Sequence, residues 1–264
     1  SIPMLYVTVA KSSLIQINIM NNSTPSLSAV GCSQCPIRHR AVCAKCDEDE
    51  LVMLEGMKDY RSFKAGDTIV WRGEPLEFVA SVVSGVATLS KTMEDGRTQM
   101  VGLLLPSDFI GRPGRKTIDF DVVATDDVTL CRFHRARFEQ LVQDTPHIAE
   151  RLMELALDEL DAARDWMVLL GRKTAREKIC TFIEMLTRRL DPEQSKTDQQ
   201  IDLHMTRDQI ANYLGLTLET VSRQFNALKK EKIINFSDRR HFTVADLAAL
   251  HNETGDDADG GILS

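Results

Sequence analysis

Apolar residues along this chain change their period twice, and each change marks a different kind of element. From Leu51 to Asp144 they come in short runs broken by turn residues, as in KAGDT, WRGEP, VVSGVATL, MEDGRT and LLLPSDF. Spaced strands with glycine turns predict an antiparallel barrel or sandwich, and a β-roll sensor domain is expected here. Asp95 and Gly96, between VATLSKTM and RTQMVGLLL, signal a hairpin within it, because this dipeptide supplies the positive backbone angle of a tight turn. Around Pro146 the period lengthens, and HIAERLMELALDELDAARDWMVLLG runs without a breaker to Gly171 as one long helix. Leu152, Leu160, Ala163, Met167 and Leu170 recur along it at steps near three and four. That stripe is narrow, suited to pairing with a second copy, so these five are the candidate dimer contacts. Asp158, Asp161 and Asp165 flank it, and like charges brought together would keep the association marginal and open to regulation.

Beyond the long helix, REKICTFIEMLTRRL reads as a second amphipathic helix and DPEQSKTDQQ as a polar loop. MTRDQIANYLGLTLETVSRQFNALKKEKII then has the pattern of a helix-turn-helix. Thr206 caps the first helix with Gln209 at the box position, Gly215 makes the turn and Thr217 opens the second helix. Ile210, Leu214, Leu216, Val221, Phe225 and Leu228 form its expected core, which leaves Glu219, Thr220, Ser222 and Arg223 outward. Those chemistries suit a DNA groove: arginine grips guanine O6 and N7, and glutamate accepts from cytosine N4. IINFSDRRHFTV follows as two short strands, a wing whose Arg239 and Arg240 can reach phosphate or minor groove. Thr206, Arg239 and Arg240 complete the candidate DNA-contacting set.

Composition sharpens this picture. The chain has 264 residues, enough for two compact domains, and a net charge of −7 that looks wrong for a DNA reader. Divided along the chain the charge is −6 over residues 1–169 (18 basic, 24 acidic), +3 over 170–251 (14 basic, 11 acidic) and −4 over 252–264. The positive part therefore coincides with the helix-turn-helix. Residues 1–31 read as a flexible tail without a basic start or a membrane-spanning run, and 252–264 as a disordered acidic tail. Between them the expected order is a cysteine-rich loop at 32–50, the roll at 51–144, the dimerisation helix at 145–170 and a winged helix-turn-helix at 171–251. Of six cysteines, Cys32, Cys35, Cys43 and Cys46 crowd into fifteen residues as two CxxC pairs, a pattern of metal binding in the cytoplasm. Those four alone could close a tetrahedral zinc site, although seven residues between the pairs is short for a zinc ribbon. Cys131 in VTLCRF and Cys180 in REKICTFI read as small buried hydrophobes, and His134 as a solvated histidine. No GxSxG, P-loop, HExxH or GxGxxG signature points to an enzyme.

From about Cys32 to Leu250 the sequence resembles the Crp/Fnr superfamily of bacterial regulators, specifically the FNR-type anaerobic regulators of alphaproteobacteria. TRDQIANYLGLTLETVSRQF carries the family's E-x-x-S-R triplet as Glu219, Ser222 and Arg223; VGLLLPSDFIGRPG and the Cys32-x2-Cys35-x7-Cys43 run with a later Cys131 are the other matches. The resemblance implies an α+β fold: a cupin-like, cyclic-nucleotide-binding-type β-roll, a dimerisation helix and a winged helix-turn-helix. It also implies an oxygen-labile 4Fe-4S cluster on Cys32, Cys35, Cys43 and Cys131, with Cys46 the alternative third ligand because the second spacing is seven residues instead of five. A homodimer reading a TTGAT-N4-ATCAA-like palindrome in double-stranded DNA, with recognition helices about 34 Å apart, and a contact with RNA polymerase follow from the same resemblance. The cyclic-nucleotide cassette is not matched, since GRPGRKTIDFDV has no acidic residue directly after Gly111, and Arg112 and Arg115 read as surface charges.

Overall fold

The computed structural model describes residues 31–190 and 200–256. The tail up to residue 30, the polar loop at 191–199 and the acidic residues from 257 onward lie outside the described residues.

A 3-10 turn at Cys32–Gln34 and a run of turns lead to α1 (Glu48–Met57). The expectation that the roll begins at Leu51 is corrected here, because Leu51 to Met57 is helical. Asp47 accepts from the Glu50 backbone N–H while the Glu50 side chain accepts from the Asp47 N–H, a capping box, and three acidic residues in the first turn face the helix's positive end.

Eight strands follow: β1 (Lys58–Phe63), β2 (Thr68–Val70), β3 (Phe78–Ser84), β4 (Ala87–Thr92), β5 (Thr98–Leu104), β6 (Phe109–Ile110), β7 (Asp121–Ala124) and β8 (Val128–His134). They make two antiparallel sheets, ordered β1-β8-β3-β6 and β2-β7-β4-β5. The Asp95-Gly96 hairpin is present between β4 and β5, with Gly96 at φ +85°. Alternate residues explain the layers. Ala80 and Val82 of β3 and Val128 and Leu130 of β8 belong to the core between the sheets. Val79 and Val83 of β3 and Cys131 and Phe133 of β8 belong to a second core, shared with the cysteine segment, α1 and the helices after β8. Both faces of β3 are covered, so FVASVVS reads as a near-continuous apolar run rather than as a clean alternation, and in β8 the adjacent buried pair Leu130 and Cys131 faces both cores.

Two helices close this half: α2 (Arg135–Asp144), which lies inside the stretch expected to be wholly strand, and α3 (Pro146–Arg172), 27 residues long with proline at its start. The carboxy-terminal half is α4 (Ala175–Leu190), β9 (Gln200–Asp202), α5 (Arg207–Leu214), α6 (Leu218–Lys230), β10 (Ile234–Phe236), β11 (His241–Val244) and α7 (Leu247–Asn252). β9 adds a third strand to the wing sheet, ordered β10-β11-β9. Residues 252–256, expected to open the acidic tail, pack against the carboxy-terminal half. Thr254 is fully buried, Glu253 pairs with Arg176, and Asp256 pairs with Lys173 at 2.6 Å. These ion pairs back to the start of the carboxy-terminal half and the buried threonine outweigh the polar composition that suggested disorder.

The halves are not separate bodies. Val86 and Leu105 of the roll and Leu169 of α3 lie in one buried cluster with Phe182, Tyr213, Leu214 and Phe225. Trp166 of α3 stacks on Tyr213 with ring centroids 4.0 Å apart. Asp108 of the roll pairs with Arg189 of α4, and Asp126, buried in the turn before β8, pairs with His204 and Arg240.

Candidate cofactor and DNA-contacting sites

The cysteine pocket is assembled from a sheet face and a loop. Antiparallel register places Tyr60 of β1 and Ser81 of β3 on either side of Cys131 of β8. Directly opposed residues share a face, so the three form a row across the sheet beneath the amino-terminal segment. Cys32, Cys35, Cys43 and Cys131 line one cavity with Tyr60, Ser81 and apolar neighbours. Cys46 is buried nearby but does not line it. The enclosed space is about 20 Å³, the scale of one water-sized sphere. Anything larger than a single ion requires the loop to give way outward.

One arginine organises that loop. Arg38 donates from Nη1 to the carbonyls of Cys43 (2.6 Å) and Ala44 (2.8 Å) and from Nη2 to that of Cys46 (2.7 Å). The Cys43 carbonyl also accepts from the Cys46 N–H at 3.1 Å, whereas those of Ala44 and Cys46 point from turns with no strand or helix to satisfy them. From α3, Arg151 donates to the carbonyls of Arg40 (2.7 Å) and Ala41 (3.4 Å). Lys45 bonds Glu150 at 2.8 Å and also pairs with Glu154, and His147 Nδ1 lies 2.9 Å from Glu50 of α1. The loop is thus held by the helix expected to dimerise. None of these partners was singled out from sequence, since nothing in local spacing ties Arg38 or Arg151 to carbonyls; only the Asp47-x-x-Glu50 box was readable.

All six cysteines are free thiols. Burial pushes the Cys43 thiol up to about 11 and Cys131 well above the usual thiol range, with Cys32, Cys35 and Cys43 adding to the latter. Cys32 is raised by burial, against the opposing pull of the Lys58 ammonium that hydrogen-bonds it. Cys46 rises to about 12, through burial first and then Cys43. Thiols this hard to ionise alone become thiolates when a metal supplies the compensating charge. The donor set fits such a group: four thiols around one apolar pocket, plus a buried Ser81 Oγ that has no hydrogen-bond partner in the protein. Cys180 is buried on α4, far along the chain from the pocket residues, among the carboxy-terminal core.

The helix-turn-helix is built as its sequence reads. Thr206 and Gln209 form a complete capping box, Gly215 takes the left-handed conformation at φ +62°, and Thr217 accepts from the Thr220 N–H to cap α6. Ile210, Leu214, Val221, Phe225 and Leu228 are buried, and Leu216 is partly so. Glu219 and Arg223 are exposed, with Thr220 and Ser222 half-buried beside them. At the wing, Arg239 is exposed, whereas Arg240 is engaged: its Nε donates to Asp202 at 2.6 Å and its Nη2 to Asp126 at 3.1 Å. Arg207, not singled out from sequence, lies 3.6 Å above the Phe225 ring and 4.7 Å from that of Phe236, tying α5 to the wing.

On α3 the stripe divides. Leu160 and Met167 are exposed, at 46% and 70%, and Ala163 is exposed with them. Leu152 and Leu170 are corrected: they turn inward, the first onto the cysteine-side core and the second onto the carboxy-terminal core. A straight helix at 3.6 residues per turn carries these two away from the outer face. Met153, Leu157 and Val168 occupy that face instead.

Residues 60–145 match the cyclic nucleotide-binding domain family, and residues 177–253 match the Crp-like helix-turn-helix domain family. The chain is 58% identical over 234 residues to the transcriptional activator protein FnrL of Cereibacter sphaeroides, an alignment covering 88% of this chain and 94% of that one. The chain belongs to the Crp/Fnr family. Within that family it is also 33% identical to the transcriptional activator protein anr of Pseudomonas aeruginosa, over 71% of this chain and 78% of that one. The solved structure of FixK2 from Bradyrhizobium japonicum matches with a TM-score of 0.69 and 33% identity, covering 76% of this chain and 99% of that chain. A CooA mutant from Carboxydothermus hydrogenoformans, 19% identical over 77% of this chain and 90% of its own, shares the fold at a TM-score of 0.62. This Crp/Fnr protein is accordingly a DNA-binding transcriptional regulator with a β-roll, a long helix and a carboxy-terminal helix-turn-helix. No helix among the described residues is long and apolar enough to cross a membrane.

Proposed function

We propose that this regulator senses oxygen through a 4Fe-4S cluster held by Cys32, Cys35, Cys43 and Cys131. In the cytoplasm it pairs as a homodimer on a TTGAT-N4-ATCAA-like palindrome and, with RNA polymerase, activates genes of low-oxygen metabolism. The observation that carries the reading is the cavity itself: Cys131 from the sheet joins three loop cysteines around one space, and Cys46 stays outside it. This favours Cys43 over Cys46 as the third ligand. When bound, the cluster supplies an oxygen-sensitive link between loop and sheet.

The chain's own residues connect that link to pairing. Loop segments fixed by Cys32, Cys35 and Cys43 are the ones that Arg151, Lys45 and the Glu50–His147 contact fasten to α3. An ordered loop therefore orders α3 from its amino-terminal half, and the outer face of the helix presents Met153, Leu157, Leu160, Met167 and Val168. A row of exposed apolar residues at helical spacing is a surface for a second copy. Pairing sets two α6 helices against successive major grooves, with Arg223 on guanine and Glu219 and Ser222 on neighbouring bases.

A single zinc ion is the rival reading, either on Cys32, Cys35, Cys43 and Cys46 as the loop spacing allows or on the four thiols that line the cavity, whose volume of about 20 Å³ is on the scale of one ion. An anaerobic assay of iron, sulfide and zinc with a visible spectrum, before and after air, on wild type, Cys131→Ser and Cys46→Ser separates the two. Iron and sulfide near four each, a band lost in air, failure of Cys131→Ser and retention by Cys46→Ser are expected. One zinc per chain indifferent to air would overturn oxygen sensing.

A further inference from the structure

Ser81 sits where an apolar residue would be expected. Its neighbours on the same face of β3 are Val79 and Val83, and the cavity beside them is lined by apolar residues, the thiols and Tyr60, whose hydroxyl is hydrogen-bonded by Lys58. The residue is 2% exposed, and its Oγ has no hydrogen-bond partner in the protein. Among the described residues two other buried side-chain atoms lack a partner, Arg135 Nε and Arg207 Nη1. Both belong to guanidinium groups engaged elsewhere, Arg135 with Glu139 and Arg207 on two aromatic rings. Ser81 has a single polar atom, and that atom is unsatisfied. Burying a hydroxyl without a partner costs free energy, so a partner is missing from the protein itself.

The position says which partner. Ser81 stands opposite Cys131 in the β3–β8 register and lines the cavity with all four thiols. At Cys32 the pocket already has a donor, the Lys58 ammonium, which hydrogen-bonds the Cys32 thiol. At Cys131 the one neighbouring hydroxyl without a partner is that of Ser81.

We propose that Ser81 is a positioning residue whose hydroxyl donates a hydrogen bond to a sulfur of the metal–thiolate group, the Cys131 thiolate first, and so sets how firmly the group is held and its reduction potential. This rests on the proposed four-cysteine site. Hydrogen bonds to sulfur withdraw charge from it and are one of the levers a protein has on such a group. The valines that flank Ser81 would fill the space equally well without that donor.

The test uses the full chain loaded anaerobically, with Ser81→Ala and Ser81→Thr beside wild type. In Ser81→Ala the reduction potential falls and the visible band bleaches in air about fivefold faster, the scale of one lost hydrogen bond. Ser81→Thr, which keeps the hydroxyl, restores both. In the metal-free protein the sign reverses: Ser81→Ala melts at the wild-type temperature or above it, because an unsatisfied hydroxyl has been removed. A packing role would lower stability in both states. Unchanged potential and bleaching in Ser81→Ala, or a destabilised metal-free protein, would overturn the proposal. Should wild type hold zinc and no sulfide, the cluster reading fails, and Ser81 is then read from the pH at which zinc is lost. A higher value in Ser81→Ala supports the donor, and an equal one rejects it.

Discussion

The DNA-reading unit and the cysteine pocket solve the same problem, holding a few side chains in place, by opposite means. Thr206, Gln209, Gly215 and Thr217 satisfy their helix ends within a few residues, and the core beneath α5 and α6 is drawn from α4 through α7 with Val86, Leu105 and Leu169 added. The pocket joins a loop to a sheet residue far along the chain, and its loop carbonyls are satisfied by Arg38 and Arg151 side chains instead of by a ladder. The reader's helix ends are set by local contacts, whereas the pocket depends on whatever fixes its reaching side chains, and a shared buried cluster still ties the stability of the two regions together. That difference suits a constant reader coupled to a variable sensor.

The largest test of the contrast is Phe225→Ala. Phe225 is buried under Arg207 in the cluster that also takes in Val86 and Leu105 of the roll. The loss should be ~3–5 kcal/mol, and calorimetry should find one lowered transition covering both halves. Two transitions, with the roll unmoved, would mean the shared cluster does not couple them.

Legibility in sequence follows the same divide. Caps, the turn glycine and the apolar spacing of α6 are short-range, so the helix-turn-helix was readable residue by residue, as was the Asp95-Gly96 hairpin. Strand residues of the roll were readable as a class, but their second covered face was not, because a strand buried on both sides loses its alternation. In the pocket, the cysteine spacing marked candidate ligands, and Cys131 alone looked like a small hydrophobe until the resemblance singled it out. Ser81, Arg38 and Arg151 gave no signal, since their roles exist only after β3, β8 and α3 have packed. On α3 the stripe was legible along its middle, where Leu160, Ala163 and Met167 are exposed, but not at its ends, where Leu152 and Leu170 satisfy the spacing and pack onto the two cores.

A smaller test acts on the loop alone. Arg38→Ala removes three hydrogen bonds and leaves the Ala44 and Cys46 carbonyls without that partner, while Cys43 keeps the Cys46 N–H; it should cost about 2 kcal/mol, read as faster amide exchange over residues 38–46 and poorer metal retention, with α5 and α6 unchanged. Equal metal retention would assign the loop's order to the thiols. Next in size is Thr206→Ala, which removes half of the capping box and should cost about 1 kcal/mol, weakening DNA binding while leaving the metal content untouched. A parallel loss of metal would contradict the separation of the two regions.

The smallest effect is in pH. Glu50 beside His147 raises the imidazole's pKa, chiefly through their hydrogen bond. A group raised in the folded state contributes its full stabilisation below its unfolded value, about 6.5, and loses it as pH climbs through the raised value. The melting-temperature gap between wild type and His147→Gln should therefore be widest at acidic pH and close on the alkaline side. A gap that widens with pH would remove this contact as a tie between α1 and α3.

Arg240, held by Asp202 and Asp126 across the seam between wing and roll, changes what a salt titration of DNA binding measures. A free arginine meeting a phosphate releases a condensed counterion and steepens the dependence of affinity on salt by about 0.9 per contact. Arg240 arrives already neutralised by two carboxylates. While the seam stays closed, the wing adds less to that slope than its arginines suggest. A steeper slope on tighter-binding DNA would then count, ion by ion, how far the wing has parted from the roll.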